Sequence, residues 1–326
     1  MPILGLAVGT TYPLKTILAV AEEADRLGYH SFWCTEGAGK DSITQLTACA
    51  LHTQHILLGT GIVNIYSRTP LLLAMTASAL QEASGGRFLL GLGSGHREPI
   101  SQGHGIPFSQ PLGRMEDYLV ILRGLLKGET VSHEGKVVQV RGARLPVPPP
   151  IPPRLFVAAL SPGMASLAGR LADGALFYLM PPAYVRELTS AMRLAAREGG
   201  RLEGEVVSAC YLMAGEGDRA GEEVLRRSVA RYATLPFYAR MLQECGFARE
   251  VEAIHRVQGD TARMAQAVSD TMLDALTVTT TPGWLRRVTA YRQAGVDWPI
   301  LFLMPSGPEV GESLLGMARR FAEGLA

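Results

Sequence analysis

The sequence predicts an α/β fold, a (β/α)8 or TIM barrel with insertions after strands 4 and 7, and three observations carry that expectation. Strand-like and helix-like stretches alternate over most of the 326 residues, the order that builds a parallel sheet with right-handed crossovers. Eight candidate strands can be counted, starting near residues 3, 31, 56, 88, 154, 175, 206 and 299. Two of them end in polar, glycine-bearing loops, Gly61-Ile62-Val63-Asn64 and Gly93-Ser94-Gly95-His96. Loops at the same end of neighbouring parallel strands are where such folds keep their chemistry. The rival architecture, a doubly wound open sheet, needs a glycine fingerprint after the first strand, and VGTTYP contains no GxGxxG.

In chain order, Ile3 to Val8 is an apolar strand and Leu14 to Leu27 an amphipathic helix ended by Gly28. Ser31 to Cys34 forms the second strand. Asp41 or Ser42 caps a helix that runs through His52. Strand Ile56 to Ile62, helix Pro70 to Ala83 and strand Phe88 to Leu92 follow. The rhythm then breaks: Gln110 to Leu126 reads as a helix, Val131 to Val140 as a hairpin around Glu134-Gly135, and the proline-rich LPVPPPIPP as an extended return. Alternation resumes with strand Arg154 to Ala159, helix Pro162 to Ala172, strand Ala175 to Leu179, helix Ala183 to Glu198 and strand Val206 to Met213. A helical block spans Arg219 to Leu276, interrupted near Pro236 and Gly246. A helix from Pro282, strand Pro299 to Met304 and a last helix from Glu309 to Gly324 close the chain. The whole reads as one domain over 1–326, with insertions at about 97–153 and 214–280.

Composition narrows the class. Apolar residues make up 47% and charged residues 19%, ample for a large core. A formal charge of +1 with no basic run gives no electrostatic case for nucleic acid. No apolar run reaches the roughly 18 residues of a membrane span. The opening MPILGLAVGT has no basic start and is not expected to be a signal peptide. Cys34, Cys49, Cys210 and Cys245 lack CxxC spacing, and the seven histidines form no HExxH or HxH. A metal site is therefore not expected, and free thiols point to a soluble cytoplasmic protein.

If the fold is a barrel, its strand ends name the candidate site. Glu36 follows the second strand and should point into the mouth, a surface carboxylate being the ordinary alternative. Gly61, between apolar neighbours, marks a bulge or close backbone approach, or simply a bend in the wall. Ser94-Gly95-His96 sets a hydroxyl, bare backbone and an imidazole together, and His96 can serve as acid or base near neutrality. After the fifth strand, Ala159-Leu160-Ser161-Pro162-Gly163-Met164 leads into a helix whose free amides offer a phosphate site. An ordinary capped helix is the alternative. Barrel phosphates more often bind after strands seven and eight. With apolar walls and no nucleophile–base pair, such a mouth suits a flat, phosphorylated redox cofactor that brings the chemistry itself.

At these residues the chain resembles the bacterial luciferase-like superfamily, and within it the deazaflavin branch that holds methylenetetrahydromethanopterin reductase and glucose-6-phosphate dehydrogenases using coenzyme F420. The matching pieces are FWCTEGAGKDSITQLTA (Phe32 to Ala48), LGTGIVNIYSRTP (Leu58 to Pro70), SGGRFLLGLGSG (Ser84 to Gly95), FVAALSPGMASLAGRLADG (Phe156 to Gly174) and YRQAGVDWPIL (Tyr291 to Leu301). The resemblance implies a barrel holding a deazaflavin or flavin edge-on in its mouth, a non-prolyl cis peptide at Gly61-Ile62, and a homodimer. It also implies a cofactor-binding set of Thr35, Glu36, Gly61, Ile62, Asn64, Ser94, Gly95, His96, Ala159, Leu160, Ser161, Pro162, Gly163 and Met164, with the last five on the phosphate. Glu36 and His96 are the expected catalytic residues, orienting substrate or relaying a proton. Gly37 stands where the sugar dehydrogenases carry a histidine, which argues against glucose 6-phosphate and for the reductase-like members.

The resulting expectation is an oxidoreductase that moves a hydride between coenzyme F420 and a small organic substrate, with Arg68 and Arg97 as candidates for a basic outlet for the long F420 tail and structural salt-bridge partners as the ordinary alternative. Two alternatives remain: a luciferase-like monooxygenase using FMN, and a non-catalytic cofactor-binding protein. The helical block, with Tyr232, Phe237 and Tyr238, is expected to cover the mouth as a substrate selector, plain core being the ordinary alternative for such aromatic spacing.

Overall fold

Short apolar strands repeat eight times and curl into a closed parallel sheet. The computed structural model describes residues 3–37, 39–202 and 204–324. The barrel strands are β1 (Gly5–Gly9), β2 (Ser31–Thr35), β3 (Leu57–Thr60), β4 (Phe88–Gly93), β5 (Arg154–Ala158), β6 (Gly174–Tyr178), β7 (Val207–Gly215) and β8 (Trp298–Met304). Each pairs with the next, and β8 returns to β1 in the register Gly5↔Ile300, so the sheet has no edge. Helices α1 (Leu14–Arg26), α2 (Ser42–His52), α3 (Pro70–Ala83), α4 (Pro111–Leu126), α5 (Pro162–Leu171) and α6 (Pro182–Glu198) cover the outside.

Local chemistry explains the helix starts. Asp41 caps α2 by accepting from Thr44 N at 2.6 Å, and Thr69 caps α3, with Pro70 in its first turn, by accepting from Leu72 N at 3.3 Å. Between β4 and β5 lie a π-helical turn (Pro99–Gly103), α4, and a hairpin of Val131–Glu134 with Gln139–Ala143. Buried Asp117 of α4 holds that hairpin by accepting from Val137 N (2.7 Å), Val138 N (2.9 Å) and Lys136 N (3.1 Å), and by bonding His133 Nε2 at 3.0 Å. Between β7 and β8 run α7 (Arg219–Ala233), α8 (Pro236–Leu242), a π-turn at Gln243–Phe247, α9 (Ala248–Arg256), α10 (Thr261–Gln266), α11 (Asp270–Leu276) and α12 (Trp284–Gln293); α13 (Val310–Glu323) follows β8.

The barrel interior is filled by large aromatics set against glycine. Alternate strand residues point inward, and Trp33, Phe156, Tyr211 and Trp298 occupy the centre with Ala7, Leu89, Leu176 and Ile300. Trp33 of β2 lies over Gly59 of β3, where an added Cβ would overlap the indole. Three details depart from the sequence expectation. Strand β3 stops at Thr60 rather than Ile62, because the chain bulges at a cis Gly61-Ile62 peptide before Val63–Asn64 pairs with β4. A strand at Thr277–Thr279, in the gap between the helical block and the helix from Pro282 where no element was expected, adds to the upper end of β7. The π-turn at Pro99–Gly103 stands where no element was expected.

Candidate active site

The carboxyl ends of the eight strands converge on one mouth, as barrel geometry requires, and the predicted residues lie around it. Thr35 and Glu36 follow β2, Gly61 to Asn64 follow β3, Ser94 to His96 follow β4, and Ala159 to Met164 follow β5. Asn64 turns its own loop, its Oδ1 accepting from Tyr66 N at 3.0 Å and Ser67 N at 2.8 Å. Gly95 has a φ of +64°, a conformation that favours glycine, and keeps the loop bare beside Asn64 and Ile100. Added Cβ atoms at Gly9 and Gly163 would meet nothing nearer than 3.8 Å, so packing within the chain does not by itself require glycine at either position.

Glu36 is not a free acid. Arg68 grips both its oxygens, Nη1 to Oε1 at 2.7 Å and Nη2 to Oε2 at 3.0 Å, and Ser42 donates through N and Oγ at 3.0 Å each. Arg68 also pairs with Asp41. Of the two readings of Arg68 the salt-bridge partner holds and the basic outlet does not: two carboxylates neutralise it, one of them by a bidentate pairing. The cluster ties the β2 loop to the start of α2 and to the loop after the bulge.

His96 stands at the rim, its ring 6.1 Å from that of Tyr238. Solvent reaches part of the residue, yet the protein mass around the ring holds its pKa below the usual value, and the nearby Arg231 guanidinium acts in the same direction. Neutral imidazole, able to accept a proton, is thus the form favoured near pH 7.

Beneath the rim lie residues that the motif reading missed. Tyr178 ends β6 and Tyr211 sits beside it on β7, with ring centroids 6.2 Å apart and Phe302 of β8 5.8 Å from Tyr178. The hydroxyls of both tyrosines are buried and lack hydrogen-bond partners. Burial pushes both phenols well above their ordinary pKa, so they remain donors. Two orphan hydroxyls in one core demand an explanation, since burying such a group unpaired costs about 1–3 kcal/mol. Alternation along strands six, seven and eight would have placed Tyr178, Tyr211 and Phe302 on the inward face. The helical block reaches the same place: Tyr232 of α7 and Tyr238 of α8 pack edge-on against Tyr178 at 5.0 and 6.2 Å. Leu179, the buried residue after Tyr178, takes a φ of +55°, and Tyr291 Oη donates to the next carbonyl, Met180 O, at 2.8 Å. A left-handed non-glycine held this way belongs to the strained set found at functional sites.

At the phosphate candidate, Ser161 caps α5 and its Oγ accepts from Met164 N at 3.4 Å, which leaves the Gly163 amide at the positive end of the helix. The commoner barrel phosphate position, between the loops after β7 and β8, is filled from within. Glu216 accepts there from Ser306 N and Oγ, from Ser313 Oγ at 3.0 Å and from Arg320 Nη2 at 2.8 Å. Among the described residues no three His, Cys, Asp or Glu come together as metal ligands, and no helix is long and apolar enough to cross a membrane.

Comparison with known proteins gives the chain its relatives. 5,10-Methylenetetrahydromethanopterin reductases of Archaeoglobus fulgidus and Methanolobus tindarius are 27% and 29% identical to the chain; each alignment covers 93% of it, and 92% and 97% of the respective relative. The solved coenzyme F420-dependent tetrahydromethanopterin reductase of Methanopyrus kandleri superposes with a TM-score of 0.82 over 98% of both chains at 22% identity, a likeness of fold. The family model described as luciferase-like monooxygenase matches residues 4–297, and the chain belongs to that family.

Proposed function

We propose that the chain is an F420-dependent oxidoreductase that moves a hydride between the deazaflavin and a small organic substrate. The observation that carries the reading is the mouth itself: two buried, unpartnered phenols, one of them against the bare backbone of Gly61, with a helix start after β5 that keeps a free amide. Relatives along nearly the whole chain are named as reductases, which supports the deazaflavin branch over the flavin one. The donor set fits such a group, because orphan hydroxyls offer hydrogen bonds to a ring edge and the Gly163 amide suits a phosphate.

Coenzyme F420, when bound, supplies the two-electron hydride chemistry. The protein's part is placement. Thr35, the Gly61-Ile62 bulge, Asn64, Ser94-Gly95-His96 and Ala159 border the ring; Leu160 to Met164 carry its phosphate; Tyr178 and Tyr211 floor the site and keep water out. Glu36 acts as a positioning residue through Arg68 and Ser42, and His96, neutral, holds or accepts a proton at its ring nitrogen.

Fluorescence titration of the purified protein with F420 and, separately, with FMN tests this. Tight F420 binding with weak FMN binding is the expected result. The reverse would make the protein an FMN-dependent monooxygenase, and binding of neither would remove the enzyme reading.

The depressed His96 pKa has a consequence for pH. An unfolded histidine titrates near 6.5, whereas the folded ring binds its proton only at lower pH. The unfolded state then takes up more protons in that window, so the stability present above about pH 6.5 is lost as pH falls through the folded pKa. His30 at the barrel floor, shifted down by burial and then by Arg154, adds to the same acid loss. NMR titration of the His96 ring should give a midpoint below 6.5, and a midpoint at or above it would remove the neutral-histidine assignment.

A further inference from the structure

The rim between β3 and β4 carries an unusual column of side chains. Arg97, exposed and next to His96, lies with its Cζ 4.9 Å from the centroid of Phe108. Phe108 stacks on Tyr66 at 5.0 Å and 22°, and the Arg114 guanidinium of α4 lies over the Tyr66 ring at 4.7 Å. The order is cation, ring, ring, cation. Backbone bonds brace it: Tyr66 Oη donates to Ser109 O at 2.9 Å and Arg97 Nη1 to Phe108 O at 3.2 Å.

Neither guanidinium meets a carboxylate among the described residues. The acids of α4 are engaged elsewhere, Glu116 with Lys136 and Asp117 with His133, and the buried Nε of Arg114 has no acceptor at all. That sets this pair apart from Arg68, whose charge Glu36 and Asp41 quench. A guanidinium parked on an aromatic face is oriented and partly desolvated, but its charge is not cancelled and its N–H edges stay available to anions. Two such cations at opposite ends of a stack suit a linear polyanion with charges spaced along it better than one compact phosphate. The column also adjoins the α5 start: Leu112, two residues before Arg114, is the nearest side chain to the open side of Gly163.

We propose that the Arg97–Phe108–Tyr66–Arg114 column is the receptor for the glutamate carboxylates of the F420 tail, the part of that cofactor that continues beyond the phosphate and that FMN lacks. The assignment rests on the F420 reading above and deepens it. It moves the basic outlet from Arg68 to Arg114, keeps Arg97, and gives the two arginines a reason to lack acidic partners.

The test uses the full chain and three deazaflavins, titrated by fluorescence at low and high salt: one with the ribityl chain alone, one ending at the phosphodiester, and F420 with its glutamates. The wild-type protein should bind the glutamylated form roughly five- to thirty-fold more tightly than the phosphodiester form, as one exposed and one partly exposed ion pair allow, and salt should shrink that ratio. Arg97→Gln, on the surface and safe for folding, should remove most of the ratio. Phe108→Leu should lower it as well while leaving both charges in place, a result that a bare charge patch would not give. Equal wild-type affinity for the last two ligands, or a ratio that survives Arg97→Gln, overturns the receptor and leaves the cofactor reading standing. Failure to bind any of the three overturns both.

Discussion

Gly61→Ala should lower stability by about 1–3 kcal/mol, the range for overpacking a filled interior, and should remove most of the ligand affinity. Tyr211 reaches across the barrel from β7 and rests on Gly61, so an added methyl would stand 2.8 Å from Tyr211 Cζ and overlap its hydroxyl oxygen. Neither wall can give way easily. Tyr211 is only 6% exposed and is wedged among Trp33, Tyr178 and Phe302, and Gly61 N is tied to Cys34 O at 2.8 Å. Tyr211→Phe supplies the control, because it deletes the overlapping oxygen and an orphan hydroxyl together. Alone it should leave the free protein as stable as wild type or more so, while weakening cofactor binding. In the double variant it should recover part of the Gly61→Ala loss, a coupling that chemical denaturation of all four proteins would measure. Strict additivity would mean that the Gly61–Tyr211 contact does not carry the effect.

Glu36→Ala is the second large effect. Both partners of the Glu36–Arg68 pair are mostly hidden, with 12% and 16% of their side chains exposed. Removing one member of a buried pair leaves the other uncompensated and costs about 3–5 kcal/mol; the low end is expected here, since Asp41 stays to hold Arg68. The amide and hydroxyl of Ser42 also lose their acceptor, so the start of α2 should loosen. Glu36→Gln keeps an acceptor for Ser42 and should cost less, and that ordering separates the cap from the ion pair. Thermal unfolding and amide exchange at Ser42 read both quantities. Were Glu36→Ala to abolish turnover with no loss of stability, Glu36 would be acting on the ligand directly and the positioning role would be wrong.

What the chain states locally, the sequence determined by itself. The strand count, the run of α3 from Pro70 to Ala83 and the start of α2 at Asp41 or Ser42 all rest on signals within a few residues: a side chain that caps its own helix, a proline in the first turn, a glycine pair after the last. The loops after β2 to β5 were legible for the same reason, and motif resemblance pointed to the cis bond at Gly61-Ile62. Only the closed barrel decided the rest. Tyr178, Tyr211, Trp33 and Phe302 form one floor because closure brings residues up to 269 positions apart onto a common axis, and no window of sequence contains that meeting. Arg68 found Glu36 and Asp41 at separations of 32 and 27 residues, which decided between a free cation and a quenched one. Arg97 and Arg114, separated by a loop and a helix start, keep their charge because folding set them on aromatic faces and not beside carboxylates. Backbone preference is a short-range property, whereas the neighbours that set a side chain's charge, burial and partner arrive from across the sheet, so the elements could be read from sequence and the chemistry of the mouth could not.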